Sequence, residues 1–175
     1  MGCLQSTTAD EDEDSDGTKA PGGAPALEYA SSCVISTEFK SYPLVAISKF
    51  NHDTSFFEFG LEPGQSLKLP VCGCLLVRGK DSEGEAVVRP YTPTSDDQMV
   101  GKFQLLIKSY GEQGKLSKYV HSLQVGDAVE FKHISFNVKF PVPSPGVNKI
   151  AMLAGGTGVT PMLQALRPGW RCHSA

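Results

Sequence analysis

From Tyr42 to Ile134 the apolar side chains fall in short runs, and several of these runs alternate with polar positions. YPLVAISK (42–49) would set Leu44, Ala46 and Ser48 on one face of an extended chain and Val45, Ile47 and Lys49 on the other. SFFEFGL (55–61), CLLVRG (74–79), EAVVRPY (85–91), KFQLLIKSY (102–110) and DAVEFKHI (127–134) follow, separated by turn signals such as GKDSEGE and SDDQMVG. Such β-branched and aromatic runs, bounded by Gly, Asp and Pro, predict an antiparallel barrel or sandwich. GKLSKYVHSL (114–123) breaks the pattern. Its Leu116, Tyr119, Val120 and Leu123 recur at helical spacing behind a glycine, which predicts one short helix capping the end of the strand array. The N-terminus of that helix would expose free N–H groups, a natural seat for a phosphate.

Beyond Pro141 the periodicity changes again. PVPSPGVN reads as an irregular loop, and KIAMLAGG as an apolar strand running directly into a glycine turn. Thr160-Pro161 then opens a helical stretch, MLQALR, with the proline in its first turn. Strand, glycine turn and helix in that order predict the start of an α/β unit. RPGWRCHSA (167–175) adds no further strand. A complete βαβ unit needs about 30 residues or more, so the expectation is an incomplete second domain.

Charge divides the chain differently. Residues 1–32 carry Lys19 against Asp10, Glu11, Asp12, Glu13, Asp14, Asp16 and Glu28, so a body with 15 basic and 12 acidic side chains, net +3, follows an acidic tail. With its Gly, Pro, Ser and Thr content, that tail buries too little apolar surface to offset ordering entropy and is expected to be disordered. Met1-Gly2-Cys3-Leu4-Gln5-Ser6 fits the pattern for myristoylation of Gly2, with Cys3 open to a second acyl chain. Two chains anchor firmly where one does not, so the expected location is the cytoplasmic face of a membrane if Gly2 and Cys3 are acylated, and the cytoplasm otherwise. Five cysteines with no apolar leader point to a reducing compartment, and Cys72 and Cys74 read as small core residues on one face of a strand. No run of eighteen apolar residues occurs, no His/Cys set has metal-ligand spacing, and no basic patch suits nucleic acid.

The candidate chemistry lies in RPYTPTS (89–95). Arg89 is able to pair bidentately with phosphate, Tyr91 offers a flat face for stacking, and Thr92 adds a hydroxyl beside that ring. With the helix start at Gly114 to Ser117, these residues would hold a planar ring at one end and a pyrophosphate at the other. The GGTG turn lacks a following Lys-Ser/Thr pair, which disfavours a phosphate loop of the ATPase type.

Over about 42–166 the sequence resembles the flavin-binding half of NADH-cytochrome b5 reductases, within the ferredoxin–NADP reductase superfamily. The resemblance rests on three separated motifs in order. It implies a mainly β fold, a six-stranded antiparallel flavin-binding barrel with one short capping helix, followed by the first strand, turn and helix of a nucleotide-binding domain. By that resemblance Arg89, with Pro90, contacts the FAD diphosphate, Tyr91 packs on the isoalloxazine and Thr92 bonds near its reactive edge. Ile107, Lys108 and Tyr110 match the next flavin-lining strand, and Gly114, Lys115, Leu116 and Ser117 match the helix start under the pyrophosphate. Gly155, Gly156, Thr157, Gly158, Thr160 and Pro161 match the opening of the pyridine-nucleotide domain, with Thr160 approaching the flavin.

The implied organisation is an acidic tail at 1–32, an FAD-binding domain at 40–141, the start of a pyridine-nucleotide domain at 147–166, and a tail at 167–175 unlike the family. Cys72 and Cys74 stand where many members show Gly and His, and the Cys-Gly-Pro segment that positions the nicotinamide does not occur. The implied activity passes electrons from NADH or NADPH through FAD to cytochrome b5 or a similar haem acceptor, impaired by the short C-terminus. A second reading is a non-catalytic acylated protein that binds a flavin or a partner. A third is an unstable product with uncovered apolar faces at 151–166.

Overall fold

The computed structural model describes residues 33–71, 73–134 and 149–166. The acidic tail with Gly2 and Cys3, Cys72, residues 135–148 with the PVPSPGVN loop, and the tail 167–175 lie outside the described residues.

Six strands form where the alternating runs place them: β1 (Lys40–Lys49), β2 (Thr54–Gly60), β3 (Leu75–Lys80), β4 (Ala86–Tyr91), β5 (Lys102–Lys108) and β6 (Ala128–His133). A helix, α1 (Lys115–Ser122), precedes β6, and α2 (Val159–Leu166) follows the glycine turn. All strand pairs are antiparallel, in the order β4-β3-β6-β1-β2-β5.

The expected barrel is not formed. β4 and β5 are the two edges of an open six-stranded sheet, and no ladder joins them. Pro90 within β4 and Pro93 just after it carry no N–H, which removes donors that a closing ladder would need. What bridges the gap is a local clasp. The Thr94 N–H donates to the Gln104 carbonyl at 2.8 Å, and the Gln104 N–H donates to Ser95 Oγ at 3.1 Å.

Two other expectations also change. KIAMLAGG is not a strand, because residues 149–155 pair with no described strand. A strand exists only through its ladder, and a parallel one needs a neighbour reached by a crossover. Cys74 is buried as expected, but it sits in the segment before β3 rather than within a strand.

The faces of β1 differ as well. A bulge between Leu44 and Ala46 inserts Val45, so that Leu44 opposes Phe59 while Ile47 opposes Phe57. One extra residue exchanges the two faces of the strand beyond it, and Ile47 thereby joins the side that strict alternation gives to Ala46.

The core lies on one face of this sheet. Phe59, Phe103 and Phe131 are fully buried, with ring centroids 4.7 to 5.5 Å apart, and Tyr42 meets Phe103 and Phe131 edge-on. Leu44, Leu75, Val77, Leu105 and Val129 complete the layer. Burial of each such side chain contributes about 1.5–3 kcal/mol, and the aromatic contacts add further.

Helix α1 docks through the face formed by Leu116 and Val120, which join this core, with Tyr119 alongside. Its seat on β3 is Gly79. A Cβ there would collide with the Tyr119 ring and Leu116 Cδ1. Helix α2 is tied down by the buried Gln164, whose Nε2 donates to the Gly73 carbonyl at 3.1 Å.

Candidate functional site

A cleft of about 750 Å³ opens where the end of β4, the end of β5, the start of α1 and the glycine turn meet. Each contributor reaches it for a local reason. Arg89 to Thr92 lie at the end of an edge strand, so one flank faces open space rather than a neighbouring strand. Beyond β5 the chain makes a tight 3-10 turn over Gly111–Gln113, and Gly114 then starts α1. Only glycine fits at 114, because a Cβ would strike Ser117 Oγ and stand 2.9 Å from Tyr110 Cβ. Ser117 stabilises this corner by accepting the Tyr110 N–H and donating to the Gly114 carbonyl. The first N–H groups of α1 are therefore presented to the cleft without a side-chain cap.

The structure brings together Arg89, Pro90, Tyr91, Thr92, Tyr110, Gly114, Lys115, Leu116, Ser117, Thr157, Gly158, Thr160 and Pro161 on the cleft wall. Four expected residues are not on it. Ile107 is buried in the core, and its carbonyl is the partner of His121 Nε2 at 3.1 Å. The Lys108 ammonium pairs with Asp53 at 3.1 Å, and Gly155 and Gly156 precede the part of the turn that reaches the cleft.

Leu106 and Gln113 also line the cleft, though no motif marked them. Leu106 had a signal in the alternation of β5. Ile107 faces the core, so its two neighbours face the other side. Gln113 had none, since its place depends on the turn geometry before Gly114.

Charge and polarity are graded along the wall. The Arg89 guanidinium is exposed and donates to the Val88 carbonyl at 2.8 Å. The Lys115 ammonium meets Asp81 at 3.0 Å. Burial pushes the Tyr91 phenol up, the nearby Tyr110 adds to this, and Arg89 opposes it, so Tyr91 is a neutral ring at physiological pH. The Tyr110 hydroxyl lies 3.5 Å from Thr157 Oγ1, and Thr160 Oγ1 donates to the Thr157 carbonyl at 3.0 Å, which links β5 to the glycine turn.

These residues fit a ligand with a planar ring and a diphosphate. The half-buried Tyr91 supplies a flat apolar face, while Arg89, Lys115 and the helix N–H groups supply donors of one sign. The volume lies within the range of cofactor clefts. Among the described residues no group of three or more His, Cys, Asp or Glu could hold a metal ion.

Comparison with known proteins agrees with this geometry. Residues 41–140 match the family described as oxidoreductase FAD-binding domain. NADH--cytochrome b5 reductase 1 of Arabidopsis thaliana is 39% identical over 137 residues, which cover 77% of this chain and 47% of that protein. An NADH-cytochrome b5 reductase-like protein from the same plant is 43% identical over 135 residues, covering 74% and 39% respectively. Among solved structures, the cytochrome b5 reductase domain of Ulva prolifera nitrate reductase superposes with a TM-score of 0.66 at 36% identity, covering 81% of this chain and 58% of that one. The chain thus spans less than half the length of these two curated relatives. The chain belongs to the oxidoreductase FAD-binding domain family, and within it is homologous to the NADH-cytochrome b5 reductases.

Proposed function

We propose that this chain forms the flavin-holding part of a reductase that draws electrons from NADH or NADPH and delivers them to a haem protein of the cytochrome b5 kind. One observation carries the reading: the Arg89–Thr92 segment, the Gly114–Ser117 helix start and the Thr157–Pro161 turn, far apart in sequence, line a single cleft. In this reading Arg89, Lys115 and the N–H groups of α1 hold the FAD diphosphate. Tyr91 packs against the isoalloxazine, while Thr92 and Thr160 lie near its reactive edge. FAD, when bound, would supply two-electron uptake coupled to one-electron release, and the chain's own residues would bind it, orient it and shield one face from water. No general acid, base or nucleophile is assigned. The nicotinamide donor and the haem acceptor follow from the similarity to NADH-cytochrome b5 reductases, and the net charge of +3 after residue 32 suits an acidic acceptor.

The test is reconstitution of residues 1–175 with FAD, followed by anaerobic addition of NADH while the flavin absorption band is monitored. Stoichiometric retention of FAD, weakened about 10-fold or more in Arg89→Ala, is the expected result, since a charge-assisted hydrogen bond contributes about 1.5–3 kcal/mol. Bleaching of the retained flavin by NADH would extend the assignment to the donor. Failure to retain FAD at any concentration would overturn the reading.

A further inference from the structure

Lys115 occupies an unusual electrostatic position. It is the first residue of α1, where the helix presents its positive end, and α1 has no acidic residue in its first turn. Its counterion comes instead from the turn between β3 and β4. Asp81 Oδ2 lies 3.0 Å from Lys115 Nζ. That carboxylate is a built feature rather than a passing contact. Its side chain is only 5% exposed, and Oδ1 accepts the N–H groups of Glu83 and Glu85, each at 3.0 Å. The backbone of the turn reinforces the arrangement, with Asp81 N–H donating to the Glu85 carbonyl and Gly84 N–H to the Asp81 carbonyl. The lysine end is different, with a side chain 60% exposed on a flexible stem that also lines the cleft. One partner of the pair is fixed and the other is free to turn.

We propose that Asp81 competes with the diphosphate of the bound cofactor for Lys115, acting as an internal counterion that lowers cofactor affinity and makes the cofactor exchangeable. This rests on the assignment of FAD to the cleft. When the cleft is empty, Lys115 leans towards Asp81, which offsets the repulsion between its charge and the helix terminus. When a diphosphate arrives, Lys115 is drawn between two anions. The cofactor gains its charge only to the extent that the Asp81 contact is given up. Asp81 keeps its two backbone N–H donors throughout, so its carboxylate stays ionised and continues to oppose the transfer. Asp81 does not touch the cofactor in this scheme. It is a positioning residue that works through Lys115.

Asp81→Asn is the informative variant, because the carboxamide keeps an Oδ1 acceptor for Glu83 and Glu85 while losing the charge. Fluorescence titration should show D81N binding FAD about three- to fivefold more tightly than wild type, the scale of one exposed ion pair. Lys115→Met should bind more weakly, and adding D81N to K115M should then change the dissociation constant by less than about twofold. Carbon-13 NMR of the Asp81 carboxyl gives a readout independent of the flavin. Lys115 holds this carboxyl below the usual carboxylate range against the opposing effect of burial, and the backbone N–H groups of Glu85 and Glu83 add to the lowering. K115M, or saturating inorganic pyrophosphate added to wild type, should each move its titration upward. Equal tightening by D81N with or without Lys115 would overturn the competition and leave only a through-space charge effect. So would an Asp81 titration indifferent to bound pyrophosphate. A wild type that binds pyrophosphate but not FAD would sink the flavin assignment while leaving the Asp81–Lys115 exchange measurable, and one that binds neither would sink both.

Discussion

The strand unit and the segment carrying the glycine turn share one cleft but are secured in different ways. Residues 40–133 are joined by five antiparallel strand pairings and sealed by the Phe59, Phe103 and Phe131 cluster. Residues 149–166 have no ladder. They are attached by Gln164 to the Gly73 carbonyl, by the burial of Thr160 and Ala165, and by the Tyr110–Thr157 contact at the cleft. Leu153 is 94% exposed and Leu166 is 56% exposed, whereas the core phenylalanines have almost no accessible surface. The two regions carry equally recognisable motifs. Motif content and structural independence are therefore separate properties, and the second follows from backbone pairing and apolar burial.

The largest effect expected from breaking this comparison is in the strand unit. Phe103→Ala removes the ring that touches Phe59, Phe131 and Tyr42, and should lower stability by about 3–5 kcal/mol in urea unfolding. An effect under about 1 kcal/mol would mean that the core repacks and that the aromatic cluster is not its keystone. Gln164→Ala tests the other region. It leaves the Gly73 carbonyl without this buried donor, at a cost of about 1–3 kcal/mol. Hydrogen exchange should accelerate across 159–166, while the main unfolding transition of the strand unit moves little. A uniform loss of protection throughout the chain would show instead that the two regions fold as one.

The smallest effect is a pH dependence confined to the strand unit. His133, at the end of β6, is 4% exposed, and burial lowers its pKa below the usual 6.5. The unfolded chain then binds the proton more readily than the folded one, so stability rises with pH between the folded and unfolded values. It should be fully present above about pH 6.5 and decline as pH falls below that, towards the folded pKa. In His133→Phe this part of the slope should vanish. An unchanged slope would assign it to other groups.

Much of the strand unit was legible because its evidence is local. Alternation in SFFEFGL and KFQLLIKSY placed β2 and β5, and the spacing of Leu116, Tyr119, Val120 and Leu123 placed α1. The cleft was legible through RPYT and the glycine at 114, since each needs a particular side chain, or none, at one position. The faces of β1 beyond Leu44 were not legible. A bulge leaves no mark in an alternating run, and it is settled by which residues of β2 lie opposite. Lys115 was legible, through the family resemblance, as a candidate at the helix start under a pyrophosphate, but its partner Asp81 lies 34 residues away in sequence. Nothing local connects the two.

The sequence by itself determined where the six strands and the two helices form, which side chains are apolar enough to be buried, and which polar groups are candidates to meet a diphosphate. These depend on periodicity, turn chemistry and side-chain type, all of which operate over a few residues. Only the tertiary structure decided that the sheet stays open at β4 and β5, that KIAMLAGG remains without a ladder, and that Lys115 leans on Asp81. Each of these depends on whether a partner distant in sequence is within hydrogen-bonding reach, and that distance is set by packing the whole chain.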